Sequence, residues 1–244
     1  MDEIRKLSHI LKNSRRAVFF GGAGMSTESG IPDFRGATGI YNQTYKKNLS
    51  PEEIISRDFF YACPDDFFDF YREKMLFPES KPNAAHLALA KLEARGHLYA
   101  VVTQNIDGLH QAAGSKNVIE LHGSVMRNHC VKCHKDYSMD YVYNTDGVPK
   151  CINCGGIIKP DVVLYGEPLD MNEITRAISV IEAADTLIIG GTSLVVQPAA
   201  GLINYFTGQN LVLINKSSTP ADAKADLVIH DAIGEVLKEA TKDL

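Results

Sequence analysis

Four of the five cysteines occur as two Cys-x-x-Cys pairs, Cys130 with Cys133 and Cys151 with Cys154, and seventeen residues separate the pairs. Two intervening residues let a tight turn direct both thiolates at one ion, and two such turns complete the tetrahedron that zinc prefers. The alternative is two redox pairs or buried free thiols, but a redox motif needs no second matched pair. Because four thiolates leave no coordination position for water, we predict a structural zinc.

A glycine-rich turn follows the apolar run 17–20. Gly22, Ala23 and Gly24 match the first half of a dinucleotide-binding fingerprint, in which backbone N–H groups and a following helix N-terminus approach a pyrophosphate. Thr27 stands where the third glycine is expected, and no acidic residue follows a second strand. This motif alone is therefore a weak indication of dinucleotide binding.

Residues 30–35 combine a rigid turn with an acid, an aromatic ring and a base. Such a loop could become ordered over a bound cofactor, with Asp33 holding the loop, Phe34 covering a flat ring and Arg35 reaching a phosphate. The alternative is an ordinary surface turn.

Polar side chains follow the apolar run 99–103. In an open α/β sheet, ligands bind beyond the carboxyl ends of the strands, and Gln104, Asn105 and Asp107 fall at that place. They offer amide donors and acceptors and one carboxylate. Asn and Asp are also common in turns, so each residue alone is a weak candidate.

His122 is the histidine whose position best fits catalysis. It precedes Gly123 at the boundary between the predicted cofactor half of the chain and the cysteine pairs. A histidine there could act as a general base, because its pKa lies near neutral pH. We predict that nearby His110 lies on a helix surface.

These candidate residues must be positioned by a sheet. Five short segments are apolar at consecutive positions, as expected of parallel strands covered on both faces; they are 17–20, 99–103, 186–190, 211–215 and 226–230. Helical spacing lies between them, in the segments that contain Ile4 to Leu11, Leu87 to Leu92 and Ile174 to Ile181, and Pro198 could open a further helix. The alternation predicts an α/β fold with a Rossmann-like, doubly wound parallel sheet.

Two stretches interrupt the alternation and predict a second, smaller domain. We assign residues 1–35, 86–124 and 160–244 to the Rossmann-like domain. Residues 36–85, which are helical and aromatic, and 125–159, which hold the cysteine pairs, would form a small helical and zinc-ribbon domain.

Composition and charge narrow the function classes. The formal net charge of -5 argues against a protein that binds nucleic-acid phosphates, which requires clustered Lys and Arg. The N-terminus lacks a secretory signal, and no stretch reaches the ~20 apolar residues of a membrane helix. We therefore expect a cytoplasmic protein with neither nucleic acid nor membrane as a partner. In a reducing compartment, paired cysteines favour metal binding over disulfides.

Taken together, these motifs resemble the sirtuin family, in its compact prokaryotic-type catalytic core. The segment 22–35 is similar to the family's nicotinamide-cofactor loop, 103–107 to its second signature and His122 with Gly123 to its catalytic histidine pair. The cysteine pairs, the segment 191–193 and Asn215 match as well. The resemblance covers nearly the whole chain in order, and the motifs are jointly specific.

The resemblance implies an NAD-dependent protein-lysine deacetylase, with NAD as co-substrate and zinc as a structural metal. The acyl oxygen of the lysine attacks C1′ of the nicotinamide ribose, nicotinamide leaves, and the acyl group passes to ADP-ribose. His122 would deprotonate a ribose hydroxyl, Asn105 would position water or the ribose, and Asp107 with Ile106 would hold the nicotinamide carboxamide. The implied cofactor-binding residues are Gly22, Ala23, Gly24, Ser26, Thr27, Asp33, Phe34, Arg35, Gln104, Asn105, Ile106, Asp107, Gly191, Thr192, Ser193, Asn215, Lys216 and Ile233.

The resemblance also implies a substrate site. Residues 163–167 resemble the strand that pairs with the backbone of an acyl-lysine peptide, and the implied substrate-binding residues are Phe34, Val162, Val163, Tyr165, Gly166 and Glu167. Family members that prefer acidic acyl groups carry Tyr and Arg three residues apart, whereas this chain has Tyr71 and Lys74. Because lysine lacks the bidentate fork of arginine, we expect deacetylation. We also expect the protein to be a monomer.

Two other functions stay open at this point. Mono-ADP-ribosyl transfer would use the same ribose carbon with a different acceptor. A non-enzymatic NAD sensor or zinc-ribbon interaction protein would have no need of Asn105, Asp107 and His122. A hydride-transferring dehydrogenase fits poorly, because the ribose-binding acid is missing.

Overall fold

A computed structural model describes residues 2–34, 39–40 and 49–244. The strands, in chain order, are β1 (Ala17–Gly21), β2 (Leu98–Thr103), β3 (Val118–Glu120), β4 (Gly123–Cys130), β5 (Asp136–Ser138), β6 (Ile158–Val162), β7 (Thr186–Gly190), β8 (Asn210–Ile214) and β9 (Leu227–Ile229). The α-helices are α1 (Asp2–Asn13), α2 (Pro51–Ile54), α3 (Arg57–Ala62), α4 (Pro64–Lys74), α5 (Ala84–Ala94), α6 (Leu109–Ala113), α7 (Met139–Tyr143), α8 (Met171–Glu182) and α9 (Ile233–Ala240). Within the described residues, no helix is both long and apolar enough to cross a membrane.

Six strands form one parallel sheet in the order β3-β2-β1-β7-β8-β9. The chain first adds strands on one side of β1 and then returns to add β7, β8 and β9 on the other side. This is the doubly wound arrangement, so the predicted fold class is confirmed. All five predicted strands are present in this sheet. Its sixth strand, the short edge strand β3, did not appear among the apolar runs.

Helices cover both faces of this sheet. Phe19 packs in the cluster that includes α1, α5 and α9, whereas Val18 and Phe20 pack in the cluster that includes α8. Adjacent residues of β1 therefore point to opposite buried faces, which explains its unbroken apolar run. In α5, Leu87 is exposed although the spacing suggested a buried position. The helix predicted at Pro198 is a 3-10 helix, Ala199–Tyr205, and not an α-helix.

A second sheet and a third hydrophobic cluster lie outside the parallel sheet. Strands β5, β4 and β6 pair antiparallel in that order. The cluster joins residues from 40–76 with residues from 125–164, among them Phe60, Phe67, Val125 and Ile158. Because the two stretches assigned to the small domain, 36–85 and 125–159, share this core, the structure supports a small domain. The boundaries of that domain stay a prediction.

His110 is buried, which corrects the prediction of a helix-surface position. Its ring lies 4.8 Å from the ring of His86, and both side chains are at most 1% exposed. Burial lowers the pKa of His86 to about 4 and that of His110 to about 3. Neither ring nitrogen of His110 has a hydrogen-bond partner among the described residues. The pair is therefore neutral in the folded protein at neutral pH.

This burial predicts a pH-dependent stability. Between pH 6.5 and about 4, the unfolded chain binds protons on these imidazoles and the folded chain does not, so the free energy of unfolding should decrease as the pH falls. His110→Leu should reduce that decrease by about 1 kcal/mol per pH unit. Urea unfolding at a series of pH values measures it, with exposed His9→Leu as the control. Equal pH dependence in His110→Leu and the unsubstituted protein would contradict the prediction.

Candidate functional site

A cleft of about 1460 Å³ opens at the carboxyl ends of the parallel strands. It exceeds the usual volume of a site for one small ligand, about 300–1,000 Å³. Predicted site residues from separate loops line it: Gly22, Ala23, Gly24, Ser26, Thr27, Asp33, Phe34, Gln104, Asn105, Ile106, Asp107, His122, Val162, Val163, Tyr165, Gly166, Glu167, Gly191, Thr192, Ser193, Asn215, Lys216 and Ile233. Arg35 lies outside the described residues. The lining is as predicted, and the role of each residue stays a prediction.

The loops after β1 and β7 touch through their glycines. The Gly24 N–H donates to the Gly191 carbonyl oxygen at 2.8 Å. A Cβ at Gly24 would lie 2.8 Å from that oxygen, and Gly191 itself has φ +60. Glycine at these two positions is thus required by the contact between loops, in addition to any approach to a pyrophosphate.

The chain after β1 does not enter an α-helix, which corrects the predicted helix N-terminus. It forms two 3-10 turns, Ala23–Met25 and Thr27–Ser29. The Thr27 hydroxyl donates to the Gly24 carbonyl oxygen at 3.0 Å and stabilises the tight turns. The third glycine of the fingerprint serves close packing of a helix on a strand. Because no α-helix packs on the strand at this point, position 27 does not require glycine and can hold threonine.

A buried polar network links the loops after β1 and β2. The Ser26 hydroxyl donates to the Asp107 carboxylate at 2.7 Å and accepts a hydrogen bond from the Asn105 side-chain amide at 3.1 Å. The Leu109 N–H donates to the other carboxylate oxygen at 2.9 Å. Burial raises the pKa of Asp107, although these hydrogen bonds oppose the shift. The network fixes the orientation of both predicted catalytic polar side chains.

His122 is held in one tautomer. Its Nδ1 lies 2.9 Å from the Gln104 carbonyl oxygen, which can only accept, so Nδ1 carries the proton and Nε2 is the basic nitrogen. Burial lowers the pKa of His122, and the hydrogen bond to Gln104 opposes the shift. The imidazole is therefore neutral near pH 7, as a general base must be.

The backbone geometry at position 123 explains why glycine follows His122. Gly123 has φ +73, and a Cβ there would lie 1.9 Å from the Asp161 carbonyl oxygen of β6. Only glycine lets β4 begin this close to its partner strand and directly after the histidine.

Two further contacts hold the cofactor side of the cleft. The Gln104 side-chain amide donates to the Thr192 hydroxyl at 3.1 Å, which joins the loops after β2 and β7. The Asn215 side-chain amide donates to the Ser217 carbonyl oxygen at 2.8 Å, in the turn after β8. Gln104, Thr192 and Asn215 thus shape the loops besides lining the cleft.

The predicted substrate segment is not a regular strand. Strand β6 ends at Val162, an irregular segment follows, and residues 164–167 form a turn in which the Glu167 N–H donates to the Leu164 carbonyl oxygen at 2.9 Å. The Tyr165 N–H donates to the Ile55 carbonyl oxygen at 3.0 Å, and the Val163 N–H to the His122 carbonyl oxygen at 3.0 Å. Gly166, with φ +86, then turns the chain away.

The four cysteines form a metal-binding cluster. The Sγ atoms of Cys130, Cys133, Cys151 and Cys154 all lie within 4.8 Å of one another. A tetrahedral zinc with Zn–S bonds of about 2.3 Å requires S···S distances of about 3.8 Å. The Cys130–Cys154 and Cys133–Cys151 sulfur atoms lie 3.4 Å and 3.5 Å apart, so the donor set fits the metal. Burial opposes ionisation of Cys151, but hydrogen bonds from the Tyr137 hydroxyl and nearby backbone N–H groups outweigh it and lower its pKa to about 6.

The cleft has an apolar part that sequence reasoning did not find. Ile40, Ile55, Met75, Val125 and Met139 line it and also belong to or pack against the small cluster. No spacing pattern in the sequence predicts these residues, because they come from separate elements. The same cleft is also lined by Tyr71 and Lys74, the two residues that bear on the predicted acyl preference.

Comparisons with known proteins point to one family. The profile of the Sir2 family matches residues 22–198. The chain is 65% identical over 237 residues to an NAD-dependent protein deacetylase of Clostridium perfringens, covering 97% of each chain. It resembles solved structures of a Sir2–p53 peptide–NAD+ complex, with TM-score 0.86 and 41% identity, and of Sir2 bound to acetylated peptide, with TM-score 0.84 and 39% identity. Each of these covers 98% of both chains.

The cysteine cluster predicts a metal-dependent fold. Cys151→Ser should abolish stoichiometric zinc binding and lower the melting temperature, because the closed thiolate shell contributes directly to folding. Zinc content by atomic emission and a thermal melt measure both effects. Cys63→Ser, outside the cluster, is the control. One zinc per chain with an unchanged melting temperature in Cys151→Ser would contradict the assignment.

Proposed function

The chain belongs to the Sir2 family, and on that premise we propose that it is an NAD-dependent protein-lysine deacetylase. It transfers the acyl group from lysine to ADP-ribose with release of nicotinamide. The observation that carries the proposal is the convergence of a neutral, oriented His122 with the buried Ser26–Asp107–Asn105 network in one cleft. A protein that only bound NAD would need no preformed base.

His122 is the general base. The Gln104 carbonyl oxygen holds the proton on Nδ1, so Nε2 is free to take a proton from a hydroxyl in the cleft. Because burial lowers the pKa of His122, its imidazole is in the unprotonated, basic form near neutral pH. The rate of the step that depends on His122 should therefore rise from acid pH and level off near neutrality.

The loops around the base hold the co-substrate. NAD, when bound, supplies the electrophilic ribose carbon and the nicotinamide leaving group. Asp107 and Ile106 bind the carboxamide, and Asn105 positions water or the ribose next to His122. The other residues of the proposed NAD site that line the cleft are Gly22, Ala23, Gly24, Ser26, Thr27, Asp33, Phe34, Gln104, Gly191, Thr192, Ser193, Asn215, Lys216 and Ile233. Arg35, outside the described residues, stays a predicted NAD contact from the sequence alone.

Asp107 and its partners are oriented by hydrogen bonds within the protein. The Ser26 hydroxyl and the Leu109 N–H occupy one oxygen each of the Asp107 carboxylate. Asn105 is held through the same serine. Such preorganisation lowers the cost of ordering these side chains on binding.

The acyl-lysine peptide binds along Val162 to Glu167, by pairing with the extended backbone there. The lysine side chain enters the cleft between this segment and Phe34. The apolar part of the cleft, lined by Val125 and Met139, suits a short acyl group without charge. We therefore retain acetyl-lysine as the substrate.

We place the protein in the cytoplasm, as a monomer that acts on other proteins. Four thiolates that bind zinc require a reducing compartment. The net charge of -5 disfavours nucleic acid as a partner.

The direct test is incubation of an acetyl-lysine peptide with the protein, with and without NAD, followed by mass analysis. We expect a loss of the acetyl group that requires NAD, together with free nicotinamide and an acetylated ADP-ribose. A peptide that keeps its acetyl group without release of nicotinamide would contradict the proposal. Addition of ADP-ribose to the peptide would instead indicate ADP-ribosyl transfer.

The base is tested by His122→Ala. We expect a folded protein whose turnover falls by at least ~100-fold, the usual contribution of general-base catalysis. Steady-state kinetics and a thermal melt measure both quantities, with His9→Ala as an exposed control. Normal turnover by His122→Ala would remove this residue from the mechanism.

A further inference from the structure

The proposed peptide-binding segment is shaped by a lysine that lies outside it. Lys159 belongs to β6, and its side chain is only 12% exposed. Its Nζ donates to the carbonyl oxygens of Pro160 and Val162, at 3.2 Å each, and to the Glu167 carboxylate at 3.1 Å. An ammonium group has three protons. All three are thus used within eight residues of the chain.

Glu167 completes the same arrangement from the other end of the segment. Its carboxylate also accepts a hydrogen bond from the Leu164 N–H at 2.9 Å, and its own N–H donates to the Leu164 carbonyl oxygen at 2.9 Å. The Glu167 side chain is 18% exposed. A carboxylate with so little access to water needs a positive partner, and Lys159 is that partner.

The ion pair therefore bridges the two ends of the segment between β6 and Glu167. One end is held where the Val162 carbonyl oxygen meets the ammonium, and the other where Glu167 folds back onto Leu164. Between these ends, Val163 and Tyr165 bond to the neighbouring backbone. The three hydrogen bonds of the ammonium group lie within residues 160–167, away from the loops after β1 and β7.

We propose that Lys159 is a positioning residue for the acyl-lysine peptide, acting through Glu167 and the Val162 carbonyl. It holds the chain from Val163 to the turn at residues 164–167 in the geometry that pairs with a substrate backbone. This inference rests on the proposed function, because it assigns the segment to the peptide. A merely structural lysine would change stability without separating the two substrates kinetically.

The test is Lys159→Met, which keeps the aliphatic stem and removes the ammonium group. We expect the KM for the acetyl-lysine peptide to rise about tenfold, the effect of losing one charge-assisted hydrogen bond. The KM for NAD and the kcat at saturating peptide should stay close to their wild-type values, because uniform binding of one substrate is lost. Fluorescence anisotropy of a labelled acetyl-lysine peptide without NAD gives a measurement that is independent of turnover.

Three variants keep the test decisive. Lys159→Arg retains the positive charge next to Glu167 and should restore the peptide KM. The double variant Lys159→Met/Glu167→Gln leaves no unpaired carboxylate, so it should fold even if Lys159→Met does not, and its peptide KM should still be raised. Lys238→Met, on the exposed side of α9, should change neither KM.

Three outcomes separate this inference from the proposed function. Wild-type deacetylation combined with an unchanged peptide KM in Lys159→Met and in the double variant would overturn the role of Lys159 alone. Equal changes in the peptide KM, the NAD KM and kcat would do the same. Absence of wild-type turnover would overturn the proposed function, and the labelled-peptide affinity of Lys159→Met would then decide the role of Lys159.

Discussion

The contact between the backbone of Gly24 and that of Gly191 is the constraint on which the site depends. It lies where the order of the parallel sheet reverses, between the ends of β1 and β7. A Cβ at Gly24 or Gly191 would lie 2.8 Å or 2.3 Å from the backbone of the opposite loop, so a side chain at either position would force the two loops apart. Because the glycines touch, Ser26 and Thr192 come within reach of the polar residues that follow β2. An open α/β sheet binds ligands at this reversal, and here it also assembles the chemical groups.

The site is rigid because its buried polar groups bond to one another. Asp107 would be costly in a closed cleft without Ser26 and the Leu109 N–H. The same hydrogen bonds orient Asn105 through Ser26, and the Gln104 backbone orients His122. One short segment after β2 thus supplies a carboxylate, an amide and the carbonyl that selects the histidine tautomer.

The cysteine cluster is connected to this site through the second sheet and through the third hydrophobic cluster, which contains Cys130, Cys151 and the cleft-lining residue Val125. Cys130 ends β4, and that strand begins directly after His122. Strand β6 pairs with β4 and leads into the proposed peptide segment, where Lys159 donates to the Val162 carbonyl oxygen. A closed thiolate shell has no place for a reacting ligand, so the metal stabilises the strands that carry the histidine and the peptide segment.

The sequence by itself determined what is encoded in adjacent residues. Buried strands appear as unbroken apolar runs, the metal site as two matched cysteine pairs, and most of the cleft residues as short motifs at strand ends. Tertiary structure decided the rest. Tertiary packing buries His110, and the sequence could not show this, because a five-residue helix has too few turns to reveal which face is covered. It joined Ser26 to Asp107 across 81 residues, and it closed Lys159 onto Glu167. No local pattern records such contacts, because hydrogen bonds between distant segments depend on the path of the whole chain.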